Sequence, residues 1–499
     1  MNKKKLVLIC FLIMYLAGYS YASQTDTNTN TAANTGANIG EVIQILERAS
    51  FTRGYELFEK GEYRKACPYF FSFLNHNTQD VTDYEWAEFF FGICLKKCGL
   101  SHASVDVLSH LVVRKPNPKI VSYALELFEE MIRTIPFDRD LIIHKVICDQ
   151  EYGFVEQRIA DFIHFYQGVF DWEHGFYQWG DAHFNRISQG GYYFYKYLYH
   201  KALYRIYQDQ IDDAIPILEQ ILEMPFQADD LKDEACMSLA RLLYEKGRFK
   251  EAEILYQRIQ RPILEQARNL LERAWVYYRM RDLEKAMGLL YAYEAPCFQD
   301  DFTPEYYILK SFIYKDVCHY RKALAVVEEF RAHFSSSLDS IYKRGKVADD
   351  PALLLVLLNK KEINRTWGFL RLLERERSEC ERFEDPSLQS YLEQLYTLQI
   401  QESRDCIRKQ IKKAYEDTAN ELLRYEEEAH LMEYEIGLDM YQRVSQYHYK
   451  EEPPEEMKDE NEKVVYPFQG EFWNDELAHY KVVLPNKCKC AEEWDIFFE

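Results

Sequence analysis

The sequence predicts an all-α chain. Its larger part is an α-solenoid of helix-turn-helix units, continued by long helices with a short coiled-coil-like seam and closed by an irregular C-terminal tail. Three observations predict this. Glycine and proline are few, 19 and 15 in 499 residues, which leaves little material for the tight turns of an all-β fold. Runs that alternate apolar and polar residues are nearly absent. One arrangement of small, large, turn and aromatic positions returns again and again along the chain.

The N-terminus reads as an export signal. Lys3, Lys4 and Lys5 precede an apolar run from Leu6 to Ala17, and Ser20-Tyr21-Ala22 offers small residues for a cut after Ala22. The run is short of the roughly 20 apolar residues that span a bilayer, so a cleaved signal over 1–22 is expected rather than an uncleaved anchor. Leu16-Ala17-Gly18 looks like the start of a lipid-anchor signal, but Tyr19 stands where the lipidated cysteine would be, and a phenol cannot replace a thiolate. Residues 23–40, rich in Thr and Asn, have nothing to bury and should form a disordered spacer.

The repeats follow, expected over 41–340. Gly54, Leu57, Gly61, Tyr63, Ala66, Phe70 and Phe73 set the pattern of two antiparallel helices about a glycine turn. A degenerate copy runs from Gly92 and Leu95 through Gly99, Ser104, Leu108 and Leu111 to Pro116. Ala202 opens another unit, with Ile211, Ala214, Leu218 and Ile221. Ala240, Gly247, Phe249, Ala252 and Tyr256 make the next, followed by Ala274, Leu283, Ala286 and Leu290, then by Ser311, Tyr320, Ala323 and Val327. The second-helix small residues Ala214, Ala252, Ala286 and Ala323 are spaced by 38, 34 and 37. Small residues let paired helices approach, and large ones fill the space to the next pair. One or two further units are expected within 120–200, with Gly190-Gly191 breaking an aromatic-rich stretch over 162–207. That stretch is either a thick inter-repeat core or an aromatic-lined groove.

This pattern resembles the tetratricopeptide repeat. The resemblance covers roughly 50–335, although Arg281 and Cys318 stand where glycine often turns. It implies stacked units, none of which can bury its apolar face alone. It also implies a concave face built by first-helix residues, here Tyr199, Tyr207, Glu234, Met237, Arg241, Tyr244, Arg268, Trp275, Tyr278, Arg279, Phe312 and Lys315. Trp, Tyr and Arg dominate binding hot spots, so this strip is either a peptide groove for an acidic or carboxylate element or ordinary wetted helix surface.

Residues 341–450 form the long-helix region. Ile411, Tyr415, Thr418, Leu422, Tyr425, Ala429, Met432 and Ile436 alternate in steps of four and three. This seam either packs within the chain or serves a homo-oligomer. Seven acids and two prolines within 451–462 mark an extended linker, 451–463, and the aromatic tail 464–499 has a composition that belongs in contact with something.

Charge and chemistry narrow the function. Losing residues 1–22 leaves 58 basic against 82 acidic residues, a net charge of −24, so nucleic acid and anionic membrane surfaces are poor partners. The mature chain has 11 cysteines, an odd and scattered set that suggests free thiols or one or two disulfides. Cys94 and Cys98 lie four apart on one expected helix, and Cys488-x-Cys490 is weak as a zinc site. No nucleotide, hydrolase or metalloprotease motif occurs, and Glu471, Asp475 and Glu476 beside Trp473 are too ordinary in so acidic a chain to mark sugar hydrolysis. Scattered histidines, His174 and His183 among them, lack a third ligand. The expectation is a non-catalytic scaffold without cofactor or metal, binding envelope proteins or peptides in the periplasm or cell envelope of a Gram-negative bacterium. The alternatives are a self-assembling structural protein and a component of an envelope machine for motility or outer-membrane assembly.

Overall fold

A computed structural model describes residues 49–78, 83–114, 117–134, 140–148, 150–225, 229–259, 266–298, 302–345, 350–446 and 477–488. The expected signal 1–22, spacer 23–40 and acidic linker 451–463 lie outside these residues, as do Glu471, Trp473, Asp475 and Glu476. Among the described residues there is no strand. No described helix is long and apolar enough to cross a membrane.

The helices come in hairpins. These are α1 (49–59) with α2 (Tyr63–His76), and α3 (Tyr84–Lys97) with α4 (Ser101–Val113). After α5 (Pro118–Thr134) and a π-helical segment (Asp140–Cys148) come α6 (Gln157–Glu173) and α7 (Tyr177–Phe184). Then follow α8 (Tyr192–Tyr207) with α9 (Ile211–Leu222), and α10 (Asp229–Glu245) with α11 (Phe249–Arg258). The last hairpins are α12 (Ala267–Arg279) with α13 (Leu283–Tyr293), and α14 (Pro304–Asp316) with α15 (Tyr320–Tyr342). Partners within each hairpin pack along their lengths.

Seven hairpin turns use one device, a residue with positive φ just after the first helix. Gly61, Gly99, Gly175 and Gly247 take it without strain, while Asp209, Arg281 and Cys318 take it at φ of 60°, 62° and 61°. Arg281 and Cys318 thus keep the turn that glycine would make. The expected small residues also fall where helices touch. Ala66, Ala202, Ala214, Ala240, Ala252, Ala274, Ala286, Ala323, Ser104 and Ser311 are fully buried. A Cβ on Gly92 would lie 2.6 Å from Leu108, and one on Gly168 would lie 2.6 Å from Phe184, so the first helices of these pairs must be bare there.

After α15 come α16 (Pro351–Asn359), α17 (Lys361–Cys380) and α18 (Pro386–Gln446). Proline at the first position of α16 and α18 costs no hydrogen bond, and Asp350 and Asp385 cap them by accepting from the Leu353 and Leu388 amides at 3.1 and 2.8 Å. The chain divides into two compact units, 1–187 with 365–405 and 188–364 with 406–499.

In the first unit, the core between α1, α2 and α3 is aromatic. Phe58 and Phe70 meet Phe90 at 4.9 and 5.8 Å, and Phe71 meets Phe91 at 5.8 Å. Here α17 and α18 lean on the second helices. The buried Glu376 carboxylate accepts from the Ser101 and His102 amides at the N-terminus of α4, both at 2.9 Å, and from the Tyr396 hydroxyl at 2.8 Å. Burial nevertheless holds Glu376 above its ordinary pKa.

In the second unit, the seam expected over 411–436 is filled from within along Leu422 to Ile436. Leu422, Tyr425, Ala429, Met432 and Ile436 share one core with Ile308 of α14 and with Ala323, Val327, Phe330, Phe334 and Leu338 of α15. Arg331 pairs with Glu433 at 2.5 Å beside it. Of the two expectations for the Ile411–Ile436 helix, packing within the chain is the one found. A homo-oligomer through the same residues would first have to expose this apolar face to water.

Candidate functional site

The expected strip runs along α8, α10, α12 and α14, all in the second unit. Its middle is an ion-pair network. Arg241 on α10 grips Glu272 of α12 with its fork, Nε at 3.0 Å and Nη2 at 2.6 Å, while Arg268 adds a bond at 2.9 Å and the Tyr256 hydroxyl another at 2.9 Å. Burial alone would raise the pKa of Glu272, but these donors carry it below the usual carboxylate range. A second network lies beside it. Arg273 of α12 donates to Glu253 of α11 at 2.7 and 3.1 Å, and the Tyr277 hydroxyl reaches the same carboxylate at 3.0 Å. Both side chains of that pair are 7% exposed.

Other strip residues are also engaged. The Tyr199 hydroxyl lies 3.2 Å from Ser238, and Glu234 pairs with Lys361 at 2.9 Å. Lys315 holds Glu435 of α18. Met237 is buried. Trp275 stands edge-on to Tyr278 at 5.7 Å and to Phe312 at 6.5 Å. Beside it Glu305 is pushed above the carboxylate range by burial, with the Trp275 indole and Arg268 pulling the other way. Tyr278 is pushed up to about 12 by burial and then by Asp316.

One end of the strip stays open. Tyr207 is 87% exposed at the end of α8. Tyr244, at the end of α10, meets Phe249 at 5.5 Å, and the Arg279 guanidinium lies 5.6 Å over the same Phe249 ring. Arg279 is exposed and has no carboxylate partner among the described residues. Sequence alone treated Arg241 and Arg279 alike. The structure separates them, because Glu272 on the facing first helix occupies the Arg241 fork.

A family profile described as tetratricopeptide repeat matches residues 234–258, which hold the α10–α11 hairpin. That hairpin is similar to a tetratricopeptide repeat. No curated protein matches it by sequence. Among solved structures, a tetratricopeptide repeat protein from Parabacteroides merdae is 13% identical, over 57% of this chain and 92% of that one, with a TM-score of 0.23. The apo form of RapI is 10% identical, over 73% and 99%, with a TM-score of 0.30.

The tail is a further structural element, which sequence placed only loosely. Residues 477–488 lie on the second-helix side, with Leu477 buried in the core of α12, α13 and α14 and Tyr480, Val482 and Leu484 packed on it. The Val482 amide donates to the Glu284 carbonyl and the Lys487 amide to the Val317 carbonyl, both at 3.1 Å. His319 Nε2–H donates to the Pro485 carbonyl at 2.8 Å. Gly288 makes room, since a Cβ there would lie 1.9 Å from the Tyr480 carbonyl oxygen. A disulfide joins Cys488 to Cys318, the positive-φ residue of the last hairpin turn. The described part of the tail, whose composition belongs in contact with something, is therefore docked on its own repeats. Composition signalled the contact, but nothing in the sequence named Gly288 or Cys318 as its seat.

Among the described residues no group of three or more His, Cys, Asp and Glu is placed to hold a metal. His164 and His183 face each other, Nδ1 to Nδ1, at 3.3 Å.

Proposed function

We propose that this protein is an exported, non-catalytic scaffold of the bacterial cell envelope that docks a peptide carrying a carboxylate at the open end of its first-helix strip. The observation that carries the reading is Arg279. Arg241, Arg268 and Lys315 each already hold a carboxylate of this chain, whereas Arg279 presents its guanidinium on an aromatic bed of Phe249 beside Tyr244. A planar, always-charged fork suits bidentate recognition of a carboxylate, and neighbouring tyrosines add contact area at little entropic cost. Export is supported by the basic and apolar pattern of residues 3–17 and by the Cys318–Cys488 disulfide, a bond that persists in oxidising compartments.

The test is fluorescence anisotropy of the full mature chain against peptides with acidic side chains or free C-terminal carboxylates, with amidated and neutral controls. Acidic peptides should bind, and Arg279→Glu should weaken them at least tenfold without changing the melting temperature. Equal binding of neutral controls, or indifference to Arg279→Glu, would overturn the assignment.

A second reading rests on α18. Leu431, Tyr434, Leu438 and Tyr441 are exposed in steps of three and four on the side away from the buried seam. Self-association through this outer stripe predicts a molar mass in light scattering that rises with concentration and falls with Leu431→Lys plus Leu438→Lys.

A further inference from the structure

The seat of the tail has the features of a site for an extended chain. From Ala478 to Pro485 the residues alternate. Ala478, Tyr480, Val482 and Leu484 pack on the core of α12, α13 and α14, while His479, Lys481, Val483 and Pro485 are exposed, Val483 at 79%. This is the period of two by which extended peptides are read. Leu477, 1% exposed, is sunk in the same core at one end.

The repeats also hold the main chain of this segment. The Glu284 and Val317 carbonyls accept from the Val482 and Lys487 amides, and His319 donates to the Pro485 carbonyl. Gly288 lets the Tyr480 backbone lie against α13. Bonds to backbone are blind to side chains, so affinity comes from the extended conformation and specificity from the alternate apolar positions. One contact is covalent. The Cys318–Cys488 disulfide joins residues 170 apart, and both cysteines are half-buried, within reach of an external thiol. Closing so long a loop favours the docked tail by roughly a thousandfold over an unlinked one.

We propose that this seat is a second peptide-binding groove, separate from the first-helix strip, whose resident ligand is the chain's own tail and whose access is set by the Cys318–Cys488 bond. Reduction lets the tail leave, and a partner segment of the same chemistry, extended and apolar at alternate positions, takes its place. The reductant is a dithiol, either small or carried by a thiol oxidoreductase. One of its thiolates attacks the Cys488 sulfur, forming a mixed disulfide and releasing Cys318, which takes up a proton. The second sulfur of the dithiol, losing its proton, attacks the first and releases Cys488 as a thiol. The protein disulfide gains two electrons and two protons, and the dithiol loses both to become a disulfide.

The test uses the full chain and two readouts. Amide hydrogen exchange followed by mass spectrometry reports on the tail, and fluorescence anisotropy reports binding of a labelled synthetic peptide with the sequence of residues 477–487. Dithiothreitol, or Cys488→Ser without it, should speed exchange in peptides spanning 480–487 by about a hundredfold or more, with the α10–α11 hairpin still protected. Leu477→Asp plus Cys488→Ser, which expels the resident tail, should bind the labelled peptide, whereas the oxidised wild type should not. Adding Gly288→Ala to that double variant should abolish the binding. Unchanged exchange after reduction would overturn the proposal, as would loss of protection in α10–α11 as well, which would make the bond a structural staple. Failure of the double variant to bind the peptide would also overturn it.

Discussion

Removing the Glu253 carboxylate tests how neighbouring repeats are held together. Glu253 receives two bonds from Arg273 and one from Tyr277, and Arg273 is as buried as Glu253 itself. In Glu253→Ala the guanidinium would be left 7% exposed with its main partner gone. Breaking a buried pair in this way costs about 3–5 kcal/mol, most of it the desolvation of the orphaned charge. At roughly 2–4 °C per kcal/mol for a unit of this size, the melting temperature should fall by about 6–20 °C. Thermal and urea unfolding followed by circular dichroism read the change, and a double-mutant cycle with Arg273→Met separates the pair from its surroundings. The double variant should recover most of the loss, because two apolar side chains leave no charge unpaired. A loss below about 1 kcal/mol for Glu253→Ala, or a double variant no better than the single, would refute the reasoning.

Gly288→Ala should expel the tail, because its Cβ would overlap the Tyr480 carbonyl, while alanine suits helix α13 itself; limited proteolysis should then cut within 477–488, and an unchanged digest would contradict the docking. Burial holds His102 at about 4 against an ordinary 6.5, so the unfolded chain takes up its proton first. The stability that neutral His102 confers is therefore present above 6.5 and lost as pH falls toward 4, by up to about 3 kcal/mol. Glu376, held above its ordinary value, has the opposite slope, so the difference between wild type and His102→Leu isolates the histidine across pH 4–7. Leu422→Asp buries a carboxylate in the α15–α18 core and should destabilise the second unit by several kcal/mol, with the molar mass in light scattering unchanged. A halved mass would show that the seam joins two chains.

What sequence could tell depended on whether the relevant partners share one repeat. Ala214, Ala252, Ala286 and Ala323 mark the hairpins because each small residue meets its own first helix, and the register repeats in sequence. Arg281 and Cys318 were legible as turn residues for the same reason. Arg241 was not legible as an interior tie, since its partner Glu272 lies on the next first helix and one acid among 82 carries no signal. Long separations hid more. Cys318 and Cys488 are 170 apart, and no pattern near either points to the other. The heptad spacing from Ile411 to Ile436 announced an apolar seam, but spacing cannot distinguish α15 of the same chain from a second copy.

The most direct test of the central claim is affinity capture of the chain from lysates of its own cells, with chemical cross-linking and mass spectrometry, comparing wild type with Arg279→Glu and Tyr244→Ala. The scaffold account predicts one or a few discrete partners in wild type, cross-linked near Tyr207, Tyr244 and Arg279 and depleted in both variants. Recovery of the same partners in all three forms, or of this chain alone, would contradict it.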